Sequence, residues 1–103
     1  MFLYNITIGI DQDVEKEWIS WIRENHIPFV MGTGLFVDSK IYKVLHDENE
    51  GTISYSIQHF AKGIAEVNQF LSVFAPALIE QHRQRFINRH VVFQTLLEEV
   101  IAL

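Results

Sequence analysis

Five histidines, His26, His46, His59, His82 and His90, are the side chains of this chain whose ordinary titration lies near neutral pH. His26 stands in Glu24-Asn25-His26-Ile27-Pro28. Proline disfavours helical geometry at the residue before it, so the spacing predicts that a helix ends near His26. The imidazole would then sit at a helix C-terminus, where the dipole favours the imidazolium and raises its pKa. Next to it, Ile27 to Gly34 would form a loop able to close as a lid, a setting suited to general acid–base work. The plainer alternative is a cap on the last helical carbonyls.

His59 follows Tyr55 and Ile57 at alternate positions, which places it on the covered face of a strand. An imidazole there must be hydrogen-bonded or line a cavity, and a satisfied core histidine is the plainer case. If His26 and His59 open into one cleft between helix and sheet, both become candidate catalytic residues. Trp21, Phe29 and Tyr55 would then form the apolar ligand-binding wall, although core packing is the simpler account of the tryptophans.

Other chemistry finds less support. The histidines show no HxH, HxxxH or HExxH spacing and the chain has no cysteine, so neither a metal site nor a disulfide framework is expected. His82 and His90 straddle a helix–strand junction and would meet only by accident of the fold. His59 or His82 could in principle ligate haem, but nothing marks either out, and no cofactor is expected. Gly32-Thr33-Gly34 lacks the spacing of a phosphate-binding loop.

Composition sets the frame in which these residues work. The net charge is −5, with apolar types at 49% and aromatics at 13% of 103 residues. Such an acidic chain is not expected to bind nucleic acid, which needs a basic face. The cluster His82-Arg83-Gln84-Arg85 with Arg89 and His90 reads as the solvated end of a helix. Without a basic region before the apolar opening and without an apolar run of membrane length, a cytoplasmic protein is expected, with no membrane partner.

The elements that position the histidines follow from periodicity. Phe2, Tyr4, Ile6, Ile8 and Ile10 alternate with Leu3, Asn5, Thr7 and Gly9, which predicts a strand with one greasy and one mixed face. Val14, Trp18, Trp21 and Ile22 mark an amphipathic helix. Leu35 to His46 and Thr52 to Phe60 read as a hairpin centred on Asn49, so that Ile41 faces Ile57 while Tyr42 and Val44 lie with Ser54 and Ser56. The acidic run Asp47 to Glu50 would be its solvated turn. Ile64, Val67, Phe70, Leu71 and Phe74 begin a second helix, which Pro76 must kink or restart; Leu78, Ile79, His82 and Phe86 continue it. Val91 to Leu97 is the last strand.

The order β-α-β-β-α-β predicts one α+β domain over 1–103, a ferredoxin-like four-stranded antiparallel sheet with helices on one face. The other face, mixed in character, is then left uncovered, and pairing with a second copy would cover it as a two-fold homodimer.

The run Glu17-Trp18-Ile19-Ser20-Trp21-Ile22-Arg23-Glu24-Asn25-His26-Ile27-Pro28, continued by Gly34-Leu35-Phe36, resembles a pattern of the dimeric α/β-barrel superfamily. With Ala75-Pro76-Ala77-Leu78 and Phe93 to Leu97, nearly the whole chain is similar to a small bacterial family of unknown function. The superfamily, which includes the antibiotic-biosynthesis-monooxygenase-like proteins, holds cofactor-free monooxygenases, isomerases, haem-degrading enzymes and non-catalytic members. The resemblance therefore implies a fold and a dimer without fixing a chemistry. Two functions are expected: a module binding a small hydrophobic ligand or assembling with a partner, or a cofactor-independent monooxygenase or isomerase acting on a small hydrophobic or aromatic substrate.

Overall fold

The computed structural model describes residues 1–46 and 51–103; the acidic hairpin turn expected at Asp47 to Glu50 lies outside the described residues. Four strands, β1 (Phe2–Asp11), β2 (Asp38–Lys43), β3 (Thr52–Ala61) and β4 (His90–Glu98), form one sheet in the order β2-β3-β1-β4. Each neighbouring pair is antiparallel. This is the ferredoxin-like α+β arrangement, in which two crossovers of the same hand put both helices on one face.

The alternation in β1 decides which face that is. Tyr4, Ile6, Ile8 and Ile10 are buried under the helices. Asn5 and Thr7 point the other way, and Ser56 Oγ donates to Asn5 Oδ1 (2.5 Å) on the open face. Pairing is strongly specified because a one-residue slip would turn the apolar set outward. Ile41 accordingly faces Ile57 and Tyr42 faces Ser56, the hairpin register that the sequence predicts.

β2 starts three residues later than expected, at Asp38. Gly34 adopts φ 75°, a left-handed conformation that turns the chain sharply out of the preceding helix. Phe36 is thereby carried into the core rather than onto the sheet edge.

Both helical connections share one device. α1 (Glu15–Trp21) runs through a π turn, Ile22–His26, into α2 (Ile27–Gly32). α3 (Ile64–Gln69) runs through a second π turn, Phe70–Phe74, into α4 (Ala75–Arg85). In each, the residue before a proline closes the wide turn: Ile27 N–H donates to Ile22 O, and Ala75 N–H to Phe70 O. Proline in a plain α-helix collides with the carbonyl four residues back and donates nothing to it. An i→i−5 turn moves that carbonyl aside, so the rod continues.

The first helix therefore does not end near His26, as expected from Pro28. Ile27 keeps helical angles (φ −63°, ψ −48°), and what read as a lid from Ile27 onward is helix as far as Gly32. The expectation at Pro76, a kink or restart, is met by the same widening.

Between the two rods and the sheet lies the core, with Trp18, Ile22, Ile57, Val67, Phe70 and Phe86 essentially sealed from solvent. Each such side chain contributes about 1.5–3 kcal/mol by leaving water. The molecule measures 37 × 32 × 18 Å. The short dimension is two layers deep, and among the described residues no third layer covers the far face of the sheet.

Candidate functional site

Within this core three histidines are buried, and each is placed by a different element. His26 comes from the first π turn, His59 from the inward face of β3 and His82 from α4; they are 4%, 0% and 6% exposed. Imidazoles so deep must find partners. His26 Nε2 and His59 Nε2 lie 3.1 Å apart with the rings stacked, centroids 5.2 Å apart. Across the ring, His59 Nδ1 is 2.7 Å from Ser39 Oγ, which also contacts Met31 Sδ at 3.2 Å.

The π turn matters here. One extra residue in the turn rotates every following side chain by about 100° relative to an unbroken α-helix. His26 is the last residue of that turn and faces the sheet rather than solvent.

The third histidine has a fixed tautomer. Trp18 Nε1–H donates to His82 Nε2 at 2.9 Å. An indole N–H can only donate, so neutral His82 carries its proton on Nδ1. His90 sits edge-on to His82, ring centroids 4.7 Å apart, and its Nδ1–H donates to Phe86 O at 2.7 Å. Asn88, at φ 60°, turns the chain tightly enough for β4 to start five residues after α4 ends. That turn brings the two imidazoles together. The basic cluster is thus split: Arg83 pairs with Glu80, Arg85 with Glu17 and Arg89 with Asp11, while His82 is core.

Burial governs the charge of all three. It pushes His26 well below the usual histidine range, and the neighbouring His59 and His82 push it further. Burial alone pushes His59 down, and His82 falls to about 4 through burial and then the proximity of His90. The expectation that a helix terminus raises the His26 pKa is therefore reversed. With no helix end there, desolvation of the cation prevails.

A cleft of about 180 Å³ opens beside these groups, between α4 and the inward faces of β1 and β4. Tyr4, Ile6, Ile8, Phe70 and Leu78 give it apolar walls, and His26, His82 and His90 border it. Tyr4 is 3% exposed, its hydroxyl has no hydrogen-bond partner among the described residues, and burial raises its pKa to about 12. Arg83 and Gln94 stand among the outer lining residues.

A second, more open groove of about 370 Å³ runs along the other side of the first rod, bordered by Trp18, Ile22, Ile27, Ser39, Ile41 and Tyr55.

The structure brings His26 and His59 together but does not gather the expected apolar wall around them. Tyr55 borders the second groove, packs at a tilt against Trp18 and donates to Glu15 Oε2 (2.5 Å). Trp21 packs edge-on against His82 and Phe86, and Phe29 against Phe74. None of the three lines the His26 cleft.

From the sequence, Tyr4 and Ser39 carry no expected role in a site, and His82 and His90 enter only as weak candidates for metal or haem ligation and as members of the basic cluster. His82 carried a signal, its i+4 spacing from Leu78 and to Phe86, which put it on the inward stripe of its helix. Among the described residues, no group of three His, Asp or Glu side chains is disposed to hold a metal ion, and no helix is long and apolar enough to cross a membrane.

Comparison with known proteins agrees with the fold. The structure superposes on a dimeric ferredoxin-like protein from an uncultured marine organism with a TM-score of 0.75 at 7% identity, covering 99% of this chain and 98% of that one. HapK from Hahella chejuensis gives 0.72 at 12%, covering 99% and 95%. An antibiotic biosynthesis monooxygenase candidate from Deinococcus radiodurans gives 0.71 at 11%, covering 100% and 96%. At such identities the likeness shows the fold alone. No curated protein matches the chain in sequence. The family described as Domain of unknown function (DUF4286) matches residues 1–100, and the chain belongs to it.

Proposed function

We propose that this DUF4286 member works as a cytoplasmic homodimer, each protomer of which binds one small, mostly apolar molecule in the cleft beneath α4. The observation that carries the reading is the cleft itself: about 180 Å³ with apolar walls, bordered by imidazoles and a buried tyrosine hydroxyl that has no partner among the described residues. A dry cavity of roughly 150 Å³ accepts a benzene-sized guest, so the occupant is a monocyclic molecule or one of similar bulk. The buried imidazoles of His26 and His82, kept neutral by desolvation, and a phenol select a neutral ligand with one or two hydrogen-bonding groups, since a charged one would enter without a counter-ion. Arg83, the nearest cation, is already held by both oxygens of Glu80.

Dimerisation through the open sheet face is supported by its make-up. Tyr42, Val91, Phe93 and Leu97 expose apolar surface around the polar patch of Asn5, Thr7 and Ser56. Patches of this kind mark interaction surfaces.

Binding is tested by titrating the protein with neutral monocyclic aromatics followed by NMR, beside an Ile79→Trp variant that plugs the cleft mouth. Affinity should fall roughly tenfold or more in the variant, as for a lost pocket contact. Equal affinity would place the ligand elsewhere and end the proposal.

A second reading, cofactor-independent acid–base catalysis such as isomerisation or oxygenation of the bound molecule, is favoured by His26, which borders the cleft and is backed by His59. A neutral imidazole accepts a proton, which is the first step of either reaction. Unimpaired turnover in a His26→Ala variant would eliminate His26 as the base.

A further inference from the structure

We infer that His26, His59 and Ser39 form a proton relay that passes between the first helical rod and the sheet and joins the cleft to the groove on the rod's far side. The inference deepens the proposal above and rests on it for a bound molecule with a transferable proton.

The geometry is continuous. His26 borders the cleft, Ser39 borders the groove, and fully enclosed His59 bridges them with contacts of 3.1 Å and 2.7 Å. A histidine pair serving the core alone would need no outlet. Here both ends of the chain reach space that a ligand or water can enter.

Two proton arrangements satisfy the chain, and moving protons along it converts one into the other. In the first, the Ser39 hydroxyl faces Met31 Sδ, His59 Nδ1–H donates to Ser39 Oγ, and His26 Nε2–H donates to His59 Nε2. His26 Nδ1, with no hydrogen-bond partner among the described residues, is then the open acceptor.

A ligand O–H or N–H gives its proton to His26 Nδ1 and keeps the bonding pair. The His26 Nε2 proton moves to His59 Nε2, the His59 Nδ1 proton moves to Ser39 Oγ, and the original Ser39 hydroxyl proton leaves to water in the groove. One proton enters and one leaves, and the ligand, an anion for the duration, accepts a hydrogen bond from His26 Nδ1–H until the reverse passage restores it. Both imidazoles end neutral with their tautomers exchanged, and Ser39 is again a hydroxyl.

This solves a problem that burial creates. A lone base at His26 would have to hold a cation away from water, which is costly, and would therefore be a weak base. A relay lets it accept a proton without remaining charged. It also keeps proton exchange open when the ligand fills the cleft and blocks water from its mouth.

The test uses the full chain labelled with 15N at histidine, at about pH 7.5, where all three buried imidazoles are neutral, with phenol as the probe. Solvent exchange of the His59 Nδ1 proton, the one the relay hands to Ser39, is read in the free and the phenol-saturated protein. With the relay, exchange persists when phenol is bound, slows roughly tenfold or more in Ser39→Ala, and recovers in Ser39→Thr. The Ser39→Thr and Ser39→Val pair, both at ease in a strand, repeats the comparison at matched shape if the alanine variant folds poorly.

An unchanged rate without the hydroxyl, or collapse of exchange in the natural protein when phenol is added, overturns the relay, because the proton then leaves by a route that does not pass through Ser39. Phenol that leaves the cleft resonances unmoved counts against the binding proposal instead. In that event the Ser39 comparison in the free protein still decides the relay.

Discussion

Two imidazole nitrogens 3.1 Å apart in a dry interior can share one proton, because a second would put a cation beside a donor with no water to screen it. This gives stability a definite dependence on pH. Above about pH 6.5 the histidines are neutral both folded and unfolded, and their burial costs nothing in protonation. Below it, the unfolded chain binds protons that folded His26, His59 and His82 refuse, so unfolding takes up protons and stability falls with pH. The loss runs from the ordinary histidine value down to the folded values of about 4 for His59 and His82 and lower for His26. Its slope approaches ~4 kcal/mol per pH unit if all three act fully, at about 1.4 for each. Asp11, held low by the Asp13 N–H and then by Arg89, and Glu80, held low by Arg83, act in the same sense only in the carboxylate range. Denaturant midpoints should therefore drop steeply between pH 6.5 and 5. A flat profile there would mean that the buried histidines are charged or solvated.

At the scale of elements, the two proline-adjacent π turns give each helical rod the same widening just ahead of its proline. A proline in an ordinary helix interior costs about 3 kcal/mol relative to alanine. Here the wide turn has already removed the clash, and the imidazole contact with His59 holds the turn open. Pro28→Ala is therefore expected to change stability by less than about 1 kcal/mol and to leave the His26 and His59 resonances in place, as equilibrium unfolding and histidine NMR would report. A gain near the full value would mean that the proline still strains the rod. The same reasoning explains why the helix end expected near His26 does not occur. A proline forbids one hydrogen bond and one close approach, and an i→i−5 turn avoids both without ending the helix.

At the scale of the molecule, one protomer is a two-layer slab with an apolar rim on its open face. Phe93, in edge strand β4, is 69% exposed there. A charge placed at that position would be buried unpaired in a sheet-to-sheet dimer and would cost little in a monomer. Phe93→Lys is expected to give a folded monomer by light scattering, with far-UV circular dichroism unchanged, while the parent chain runs as a dimer. A variant that remained dimeric would move the interface off this face.

Period-two alternation in β1 and β3 and the 3.6-residue stripes in the helices reach from sequence to sheet face and register, because each depends on local backbone geometry and on which side chains avoid water. The α+β order, the covered face of His59 and the pairing of Ile41 with Ile57 are legible for that reason. Tertiary structure alone decided the rest. Whether a helix ends or widens at a proline depends on what the turn gains by staying helical, and here that gain is packing against β3 and a partner for His26, which the local sequence does not contain. The meeting of His26, His59 and Ser39, like that of Trp18, His82 and His90, joins residues from separate elements through distances set by the packing of two rods on a twisted sheet. Spacing along a chain carries no record of such distances, and so the site's residue types could be named from sequence while its walls could not.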